Sequence, residues 1–391
     1  MRLLLTVNFS PWSPYSGGGQ WSTHNLACAL AARGHAVTVV YTRALAERFG
    51  PSEPVPYTIV WAAFAGIRSR RQAPLRPLNA LSVARSVSRL CSTERIDAVH
   101  GNGEEAAALG RLRDRHRFAF VVTPRFPDYP APMLRRQGPT RLERVQLALG
   151  HAKYLALGRA VRAADWVCPT SASAASMVRR AYNISSERTR VIPNGVAQPF
   201  MEAHRAERVC DDAPLVFFGR LAEGKGVDTL LDALGQLRST GAVVPRTLII
   251  GRGDCRPALE RQAEALGVAT RVEFVDWMSP SSLAKHLAGA AAAVLPSREE
   301  SFGNAAAEAM AAGCPIISTR VGAIGEFVDH GRTGTLVEPN QPAALGAAIA
   351  ALMQNPADAR AMAQAGRETI RSRYTWDAIA ARFENCYEAQ P

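Results

Sequence analysis

The chain has 391 residues, of which 47% are apolar and 20% are charged. This length predicts two domains, and no apolar run approaches the roughly 18 residues of a membrane span. The apolar run at Leu3–Val7 is short, so we expect no secretory leader. Seven cysteines occur singly, without a Cys-x-x-Cys pair, which argues against a disulfide framework and against a thiolate zinc site. We therefore expect a two-domain protein of a reducing compartment.

The formal net charge of +12 is distributed unevenly along the chain. Residues 1–195 carry 27 Lys and Arg against 11 Asp and Glu, whereas residues 196–391 carry 19 against 23. A basic half suggests an anionic partner, such as a membrane surface or a phosphorylated acceptor, and the alternative is a solvated surface without a partner. No nucleic-acid-binding motif accompanies these charges, so we expect no nucleic-acid partner.

The pattern from residue 3 onward predicts a strand, a glycine-rich loop, a helix and a second strand. The apolar run Leu3–Val7 is the first strand, and a helical pattern extends from Trp21 to Ala32. Ala36–Tyr41 is a continuous apolar run, which is typical of a strand buried in a parallel sheet. The alternation continues, and it predicts a doubly wound α/β domain with further strands at Ala98–His100, Phe118–Thr123 and Trp166–Pro169.

A second alternation of the same kind begins after a polar stretch that follows Val191–Val196. The chain thus predicts two doubly wound domains in tandem, at 1–193 and 194–374. Ligands of such sheets bind beyond the carboxyl ends of the strands. The strands predicted in the second domain are Leu215–Phe218, Thr247–Ile250, Val272–Val275, Ala292–Leu295, Pro315–Ser318 and Gly334–Val337.

Two glutamates mark the densest motif of the second domain. Glu300 follows a predicted strand, a Ser-Phe-Gly turn comes next, and Glu308 lies on the second turn of a helix that begins near Asn304. The start of that helix presents backbone N–H groups suited to an anion, and Glu300 can accept hydrogen bonds from hydroxyls. Taken alone, two glutamates at this spacing would be interpreted as solvated or capping residues.

A second motif, Gly219-x-x-x-x-Gly-Lys225, has the spacing of a phosphate-binding P-loop. Gly226 stands where a P-loop has the hydroxyl that holds Mg²⁺, so we reject an NTPase. Arg220 and Lys225 after a strand still form a pair of cations suited to a diphosphate, unless they are an ordinary surface pair. A third motif, Gly17-Gly18-Gly19, permits close approach of the backbone to a ligand, or is a plain flexible loop.

In this order, the motifs resemble glycosyltransferase family 4, whose members have the GT-B fold of two Rossmann-like domains facing each other across a cleft. The resemblance covers nearly the whole chain. Besides the three motifs it includes Val191–Val196, Gly251-x-Gly253, the Glu300-x7-Glu308 pair, Ala309–Pro315 and Gly331–Gly334. It implies an α/β protein whose C-terminal helix, in 375–391, returns to the first domain.

The resemblance implies a role for each residue of the motifs. Arg220 and Lys225 match the cations that bind the donor diphosphate, Glu308 the acid that binds the nucleotide ribose, and Glu300 the acid that contacts the donor sugar. The donor-binding residues that it implies in addition are Gly18, Gly19, Trp277, Met278, Phe302, Gly303 and Asn304, with Trp277 and Met278 near the base.

One departure from the family lies in the first domain. Family members often have Thr-x-His after the strand that corresponds to Val121-Val122, but here the run is Thr123-Pro124-Arg125. We therefore expect the guanidinium of Arg125 where the family places an imidazole. His100 and Asn102 end another strand on the acceptor side, where His100 is either structural or functional.

The resemblance implies a retaining, hexosyltransferase-type glycosyltransferase that moves a sugar from a nucleotide diphosphate sugar to an acceptor hydroxyl. The sequence contains no Asp-x-Asp, so we expect catalysis without metal or other cofactor, with Arg220, Lys225 and Glu300 as the catalytic residues. The acceptor is a glycan, a lipid-linked or a small molecule of bacterial polysaccharide or glycoconjugate synthesis. The alternatives are a GT-B-fold epimerase or a non-catalytic sugar-nucleotide-binding protein.

The basic first domain also predicts where such an enzyme works. We expect it in the cytoplasm, with residues 1–193 in peripheral contact with an anionic membrane or gripping an anionic acceptor. The arginines concentrate at 68–95 and 135–162. Apolar residues between them predict basic amphipathic helices, namely Leu78, Leu81 and Val83 in the first cluster and Leu142, Val145 and Leu149 in the second.

Overall fold

A computed structural model describes residues 1–13, 16–44, 49–64, 77–125, 141–203 and 212–388. The chain forms two compact units, Met1–Gly195 with Trp376–Pro391 and Val196–Thr375. Each unit contains a parallel sheet with helices between its strands. This confirms the predicted class of two Rossmann-like α/β domains in tandem.

The first unit builds its sheet from six strands within the described residues, in the order β3-β2-β1-β4-β5-β6. The strands are β1 (Arg2–Val7), β2 (Ala36–Ala44), β3 (Thr58–Phe64), β4 (Ala98–Gly101), β5 (Ala119–Val122) and β6 (Trp166–Val167). The helices are α1 (Gly18–Ala32), α2 (Pro77–Thr93), α3 (Gly110–His116), α4 (Arg141–Ala163) and α5 (Ala172–Tyr182), with a 3₁₀ turn at Glu104–Ala108.

The second unit has a sheet of the same kind, again of six described strands, in the order β12-β11-β10-β7-β8-β9. The strands are β7 (Leu215–Phe218), β8 (Thr247–Ile250), β9 (Val272–Val275), β10 (Ala292–Leu295), β11 (Ile316–Thr319) and β12 (Thr335–Val337). The helices are α6 (Gln198–Glu202), α7 (Val227–Ser239), α8 (Arg256–Ala265), α9 (Pro280–Gly289), α10 (Asn304–Ala311), α11 (Ile324–Phe327), α12 (Pro342–Gln354) and α13 (Pro356–Arg373), with 3₁₀ turns at Glu223–Lys225 and Ala269–Arg271.

The strand order locates the point in each sheet where the chain changes direction of winding. In the second sheet the chain passes from β7 outward through β8 to β9, then returns to the other side of β7 and continues outward from β10 to β12. The loops that leave β7 and β10 therefore diverge and leave a crevice at the carboxyl ends of these strands. The corresponding point in the first sheet lies between β1 and β4.

The last helix, α14 (Trp376–Glu388), packs on the first unit although it follows the second in the chain. Ile379 and Phe383 are buried in the apolar core that includes α1 and β1. Glu384 accepts hydrogen bonds from Arg33 Nε at 2.7 Å and from Arg33 Nη2 at 2.9 Å, and these bonds lower its pKa to about 2. A paired carboxylate thus fixes the returning helix on the first unit.

Helix α2 shows what becomes of the first basic cluster. Val83 and Val87 are fully buried in the core, so Val83 is not on a free apolar surface. Leu81 is 50% exposed and lies in one stripe with Arg85 and Arg89, which are also exposed. The arginines at 68–71 and 135–136, and the side chains of Leu78, Leu142, Val145 and Leu149, lie outside the described residues. In the described part of the chain, no helix combines the length and apolar content needed to cross a bilayer.

Candidate functional site

The crevice of the second sheet lies between the loop after β7 and the loop after β10. A Cβ atom at Gly226 would lie 2.0 Å from the carbonyl oxygen of Pro296, so only glycine allows the two loops to approach this closely. Gly226 also has a φ of +65°, a conformation that favours glycine. The loop that contains Arg220 and Lys225 is thus held against the loop that contains Glu300.

Lys225 and Glu300 form an ion pair across this contact, between Nζ and Oε1. Both side chains are mostly buried, with 27% of the lysine and 15% of the glutamate exposed. The same Glu300 oxygen accepts a hydrogen bond from Ser297 Oγ at 3.0 Å. The lysine that was predicted to bind a diphosphate together with Arg220 is therefore paired with the glutamate that was predicted to contact a sugar.

Arg220 differs from Lys225 in its surroundings. It stands two residues beyond β7 and is exposed, and its guanidinium makes no ion pair or hydrogen bond with the described residues. An unpaired cation at the carboxyl end of a central strand is available to an anionic ligand. The site therefore contains one free cation and one that a ligand must detach from Glu300.

Arg298 is the feature of this site that the sequence analysis missed. Its guanidinium makes a bidentate ion pair with Asp228 at the start of α7, with Nη1–Oδ1 at 2.9 Å and Nη2–Oδ2 at 2.5 Å. It also donates to the carbonyl oxygen of Glu223. No spacing rule singles out this arginine, because its partners are about 70 residues away in the sequence.

Glu308 lies on α10, which follows β10 and the Ser-Phe-Gly turn as predicted. Its carboxyl group is partly buried and finds no hydrogen-bond donor or cation within the described residues. Burial alone raises the pKa of this group from 4.5 to about 8. A carboxyl group without a partner at the edge of a crevice is suited to accept hydrogen bonds from the hydroxyls of a ligand.

The start of α10 supplies the other group that an anion requires. Gly303 precedes the helix and Asn304 is its first residue. Phe302 is buried against Phe327 and Tyr374, with ring centroids 5.3 and 5.9 Å away. This aromatic contact anchors the turn, so that the N–H groups at the start of α10 keep a fixed direction.

The remaining predicted residues of the second unit lie after β9. Trp277 and Met278 connect β9, the edge strand, to α9. The indole of Trp277 is 59% exposed and Met278 is partly buried. Because parallel strands end at the same edge of the sheet, this apolar pair lies on the same edge as Arg220 and Glu300, two strands beyond β7.

In the first unit, the prediction of a loop at Gly18 and Gly19 was wrong, because α1 begins at Gly18, three residues before the predicted start at Trp21. A Cβ atom at Gly19 would lie 3.8 Å from Cδ of Arg125, so the guanidinium side chain lies beside the helix start. Arg125 donates to Asn102 Oδ1 at 2.7 Å and to Asn194 Oδ1 at 2.9 Å. The structure thus brings Gly19, Asn102 and Arg125 together.

A buried carboxyl group that the sequence did not reveal lies below this cluster. Glu105 accepts hydrogen bonds from the backbone N–H of Asn102 at 2.9 Å and from Thr6 Oγ1 at 3.2 Å. Burial raises the pKa of Glu105 to about 8 and lowers the pKa of Arg125 to about 10. The cluster therefore retains the positive charge of Arg125 at neutral pH while Glu105 is mostly uncharged.

His100 is fully enclosed in the first unit. Its Nδ1 lies 2.8 Å from the hydroxyl of Tyr387 on α14, and its Nε2 lies 2.8 Å from Thr123 Oγ1. Burial lowers the pKa of the imidazole to about 3. Since both ring nitrogens already have partners within the chain, this geometry favours the structural one of the two roles that the sequence left open for His100.

Metal ligands do not gather in the regions that the structure describes, where no group of three or more His, Cys, Asp or Glu side chains is arranged to hold an ion. The chemistry available at the second sheet consists of two cations, a helix start, two carboxyl groups and an exposed indole. Together they can bind a molecule with a diphosphate, several hydroxyls and an aromatic base. The sheets that hold these residues define the class of a Rossmann-like α/β protein.

Comparison with known proteins identifies the family. Residues 16–197 match the model described as "Glycosyltransferase Family 4", and residues 213–355 match "Glycosyl transferases group 1". The chain is 29% identical to "D-inositol 3-phosphate glycosyltransferase" of Segniliparus rotundus, over 99% of this chain and 88% of that protein. It is 34% identical to "Glycogen synthase" of Mycobacterium tuberculosis, over 59% of this chain and 55% of that protein, so the match spans about half of the synthase.

The fold agrees with this result. Sucrose-phosphate synthase from Thermosynechococcus elongatus superposes with a TM-score of 0.81 at 22% identity, over 99% of this chain and 98% of that one. The chain belongs to glycosyltransferase family 4 and has the GT-B fold.

Proposed function

We propose that this protein is a retaining glycosyltransferase that moves a sugar from a nucleotide diphosphate sugar to an acceptor hydroxyl. The observation that carries the proposal is the Lys225–Glu300 ion pair beside the free cation of Arg220. A nucleotide sugar offers both halves of this pair a new partner, because its diphosphate can bind Lys225 and its sugar hydroxyls can donate to Glu300.

Catalysis then depends on neutralising the diphosphate as it departs. Breaking the anomeric C–O bond places negative charge on the diphosphate and positive charge on the sugar. Arg220, Lys225 and the start of α10 supply positive electrostatic potential to the leaving group, as a metal ion does in other enzymes. We propose that this arrangement works without metal or other cofactor. The acceptor attacks on the side from which the diphosphate leaves, which retains the anomeric configuration.

The remaining residues of the second unit bind the nucleoside. Glu308 accepts hydrogen bonds from the ribose hydroxyls, because its carboxyl group has no partner in the described residues. Trp277 and Met278 offer an exposed apolar surface for the base, two strands away from the cations. Phe302, Gly303 and Asn304 present the N–H groups of the turn and helix start to the sugar and diphosphate.

The first unit is proposed to receive the acceptor, with Asn102 and Arg125 on the acceptor side. The family resemblance also assigns Gly18 and Gly19 to the donor diphosphate. A glycan, a lipid-linked molecule or a small molecule remains open as the acceptor. We further propose a cytoplasmic location with peripheral membrane contact through residues 1–193, which the exposed stripe of Leu81, Arg85 and Arg89 supports.

A thermal-shift panel tests the donor class directly. The protein is heated with UDP-, GDP-, ADP- and TDP-sugars, and we expect one nucleotide to raise the unfolding midpoint, since a ligand that binds only the folded state stabilises it. Lys225→Met should lose most of the shift, because the diphosphate loses a charged partner. No shift with any of the four would refute the proposed donor class.

A further inference from the structure

We propose that Arg298 is a positioning residue that sets the separation of Lys225 and Glu300. The proposal rests on the proposed function, in which these two side chains bind the two halves of a nucleotide sugar. Arg298 joins the loop after β10 to the loop after β7, at the point where the two strands diverge.

The contacts of Arg298 reach both ends of the segment that contains Lys225. On one side, Nη1 donates to the carbonyl oxygen of Glu223 and the backbone N–H of Arg298 donates to the carbonyl oxygen of Gly224 at 2.8 Å. On the other side, the two terminal nitrogens bind both carboxylate oxygens of Asp228. The side chain of Arg298 thus anchors a residue on each side of Lys225, namely Glu223 and Asp228.

The same arginine is close to Glu300 along the chain. Glu300 follows Arg298 by two residues, and its carbonyl oxygen is packed against Gly322, where a Cβ atom would lie only 1.7 Å away. The Arg298 Nε donates to Asn340 Oδ1 at 2.5 Å, which attaches the β10 loop to a third segment. Glu300 is therefore held both by the contact with Gly322 and by the contacts of Arg298. Arg298 attaches the loop of Glu300 to the loop that contains Lys225.

The guanidinium group is required because of its shape. A bidentate pair with Asp228, together with contacts to Glu223 and Asn340, uses donors that point in several fixed directions within one plane. A lysine at this position retains the charge but has a single nitrogen, so it cannot make all three contacts. We therefore expect Arg298→Lys to keep the ion pair and to loosen the two loops relative to each other.

The fold tolerates this loss. Asp228 lies in the first turn of α7, where a carboxylate interacts favourably with the helix dipole even without Arg298. Arg298 is also partly exposed, with 25% of its side chain accessible. Variants of Arg298 are accordingly expected to fold, and the consequence of substitution should appear in the geometry of the site.

The first test compares two ligands in the Arg298→Lys and Arg298→Ala variants. A nucleoside diphosphate needs only the cations, whereas a nucleotide sugar also needs Glu300 at the correct distance. We expect Kd for the nucleoside diphosphate to change less than threefold, while kcat falls about tenfold in Arg298→Lys and about a hundredfold in Arg298→Ala, since misplacement by about 1 Å can cost that much. An equal fold-loss in affinity for the nucleoside diphosphate and in kcat with the nucleotide sugar, or no loss in either, would overturn the proposal.

The second test does not depend on activity. In the parent protein, Lys225→Met should shift the unfolding midpoint by one amount when Glu300 is present and by another when Glu300 is replaced by Gln, because the two side chains are paired. The difference between the two shifts measures the dependence of Lys225 on Glu300. In the Arg298→Ala background this dependence should fall by at least half. An unchanged dependence would contradict the positioning role. If no nucleotide sugar binds the parent protein, the proposed function fails, and this measurement still decides the role of Arg298.

Arg271 provides a matched control in the same unit. It donates to the carbonyl oxygen of Val244 at 3.0 Å and to Asp212 Oδ1 at 3.1 Å, next to the amino end of β9. Arg271→Ala removes an arginine with the same kinds of partner from the opposite edge of the sheet. We expect it to leave kcat and the Lys225–Glu300 dependence unchanged.

Discussion

The raised pKa of Glu308 should make the affinity for the proposed donor depend on pH. Burial raises the pKa of this carboxyl group to about 8, so the free protein holds it mostly in the neutral form at pH 7. Ribose hydroxyls donate hydrogen bonds, and they bind the ionised carboxylate better than the neutral acid. Donor binding should therefore favour loss of the Glu308 proton.

The size of the effect follows from the pKa. With a pKa of about 8, roughly 1% of the protein has Glu308 ionised at pH 6, about 9% at pH 7 and half at pH 8. If only the ionised form binds the ribose well, the apparent Kd for the donor decreases about 50-fold from pH 6 to pH 8. At the acidic end of this range, the free energy of donor binding changes by about 1.4 kcal/mol per pH unit. Above pH 9 it should level off.

Stability of the ligand-free protein should change in the opposite direction over the same range. The folded pKa of Glu308 is raised above the ordinary value of 4.5, so the unfolded chain releases the proton first as the pH rises. The contribution of this group to stability is complete below pH 4.5 and is lost as the pH rises through about 8. A variant with Gln at this position lacks the effect.

Calorimetry with the intact sugar nucleotide measures this dependence cleanly. Its diphosphate is esterified at both ends and does not titrate near neutral pH, so the slope reports on the protein. Titrations in buffers of different ionisation enthalpy should show about one proton released per donor bound at pH 6–7. Glu308→Gln should bind more weakly at pH 8, by about 1.5–3 kcal/mol for a lost charged hydrogen-bond partner, and its affinity should be nearly independent of pH. A parent protein with the same flat profile as Glu308→Gln would refute this reasoning.

Three further expectations concern the leaving group, the cofactor and the membrane. Arg220→Ala should lower kcat by about 10- to 150-fold, the equivalent of about 1.5–3 kcal/mol, because negative charge grows on the diphosphate in the transition state. A change confined to KM would instead show that Arg220 only binds the ground state. Activity should survive EDTA, whereas loss with EDTA and recovery with Mn²⁺ would contradict the metal-free mechanism. The protein should sediment with phosphatidylglycerol vesicles at about 50 mM salt, where screening is weak. A triple variant with Leu81→Ser, Arg85→Glu and Arg89→Glu should reduce the fraction that sediments. No sedimentation of the parent protein would exclude the membrane proposal.

Local sequence patterns were sufficient for most strands of the second unit. Leu215–Phe218, Thr247–Ile250, Val272–Val275 and Ala292–Leu295 form strands at the predicted bounds, because each is a short apolar run between helical or turn-rich stretches. The strand Thr58–Phe64 was missed although it is equally apolar. It lies at the edge of the first sheet, and Pro56 precedes it while Gly66 follows it closely in the sequence.

Contacts between distant residues could not be read from the sequence. Lys225 and Glu300 were each predicted as ligand-binding residues, but their pairing depends on the strand order that places β7 next to β10. Arg298 and Asp228 meet for the same reason. In the first unit, His100 gave no sign that Tyr387, nearly 300 residues later, would enclose it.

Release of nucleoside diphosphate from a nucleotide sugar is the most direct test of the central claim, that the second unit binds a nucleotide sugar and the protein cleaves its anomeric bond. The protein is incubated with the sugar nucleotide that gives the largest thermal shift, without an added acceptor, so that water acts as a slow acceptor. We predict slow release of the nucleoside diphosphate by the parent protein, strong loss of release with Lys225→Met, and unchanged release with Arg271→Ala. Binding without any release would identify a non-catalytic sugar-nucleotide-binding protein and contradict the account.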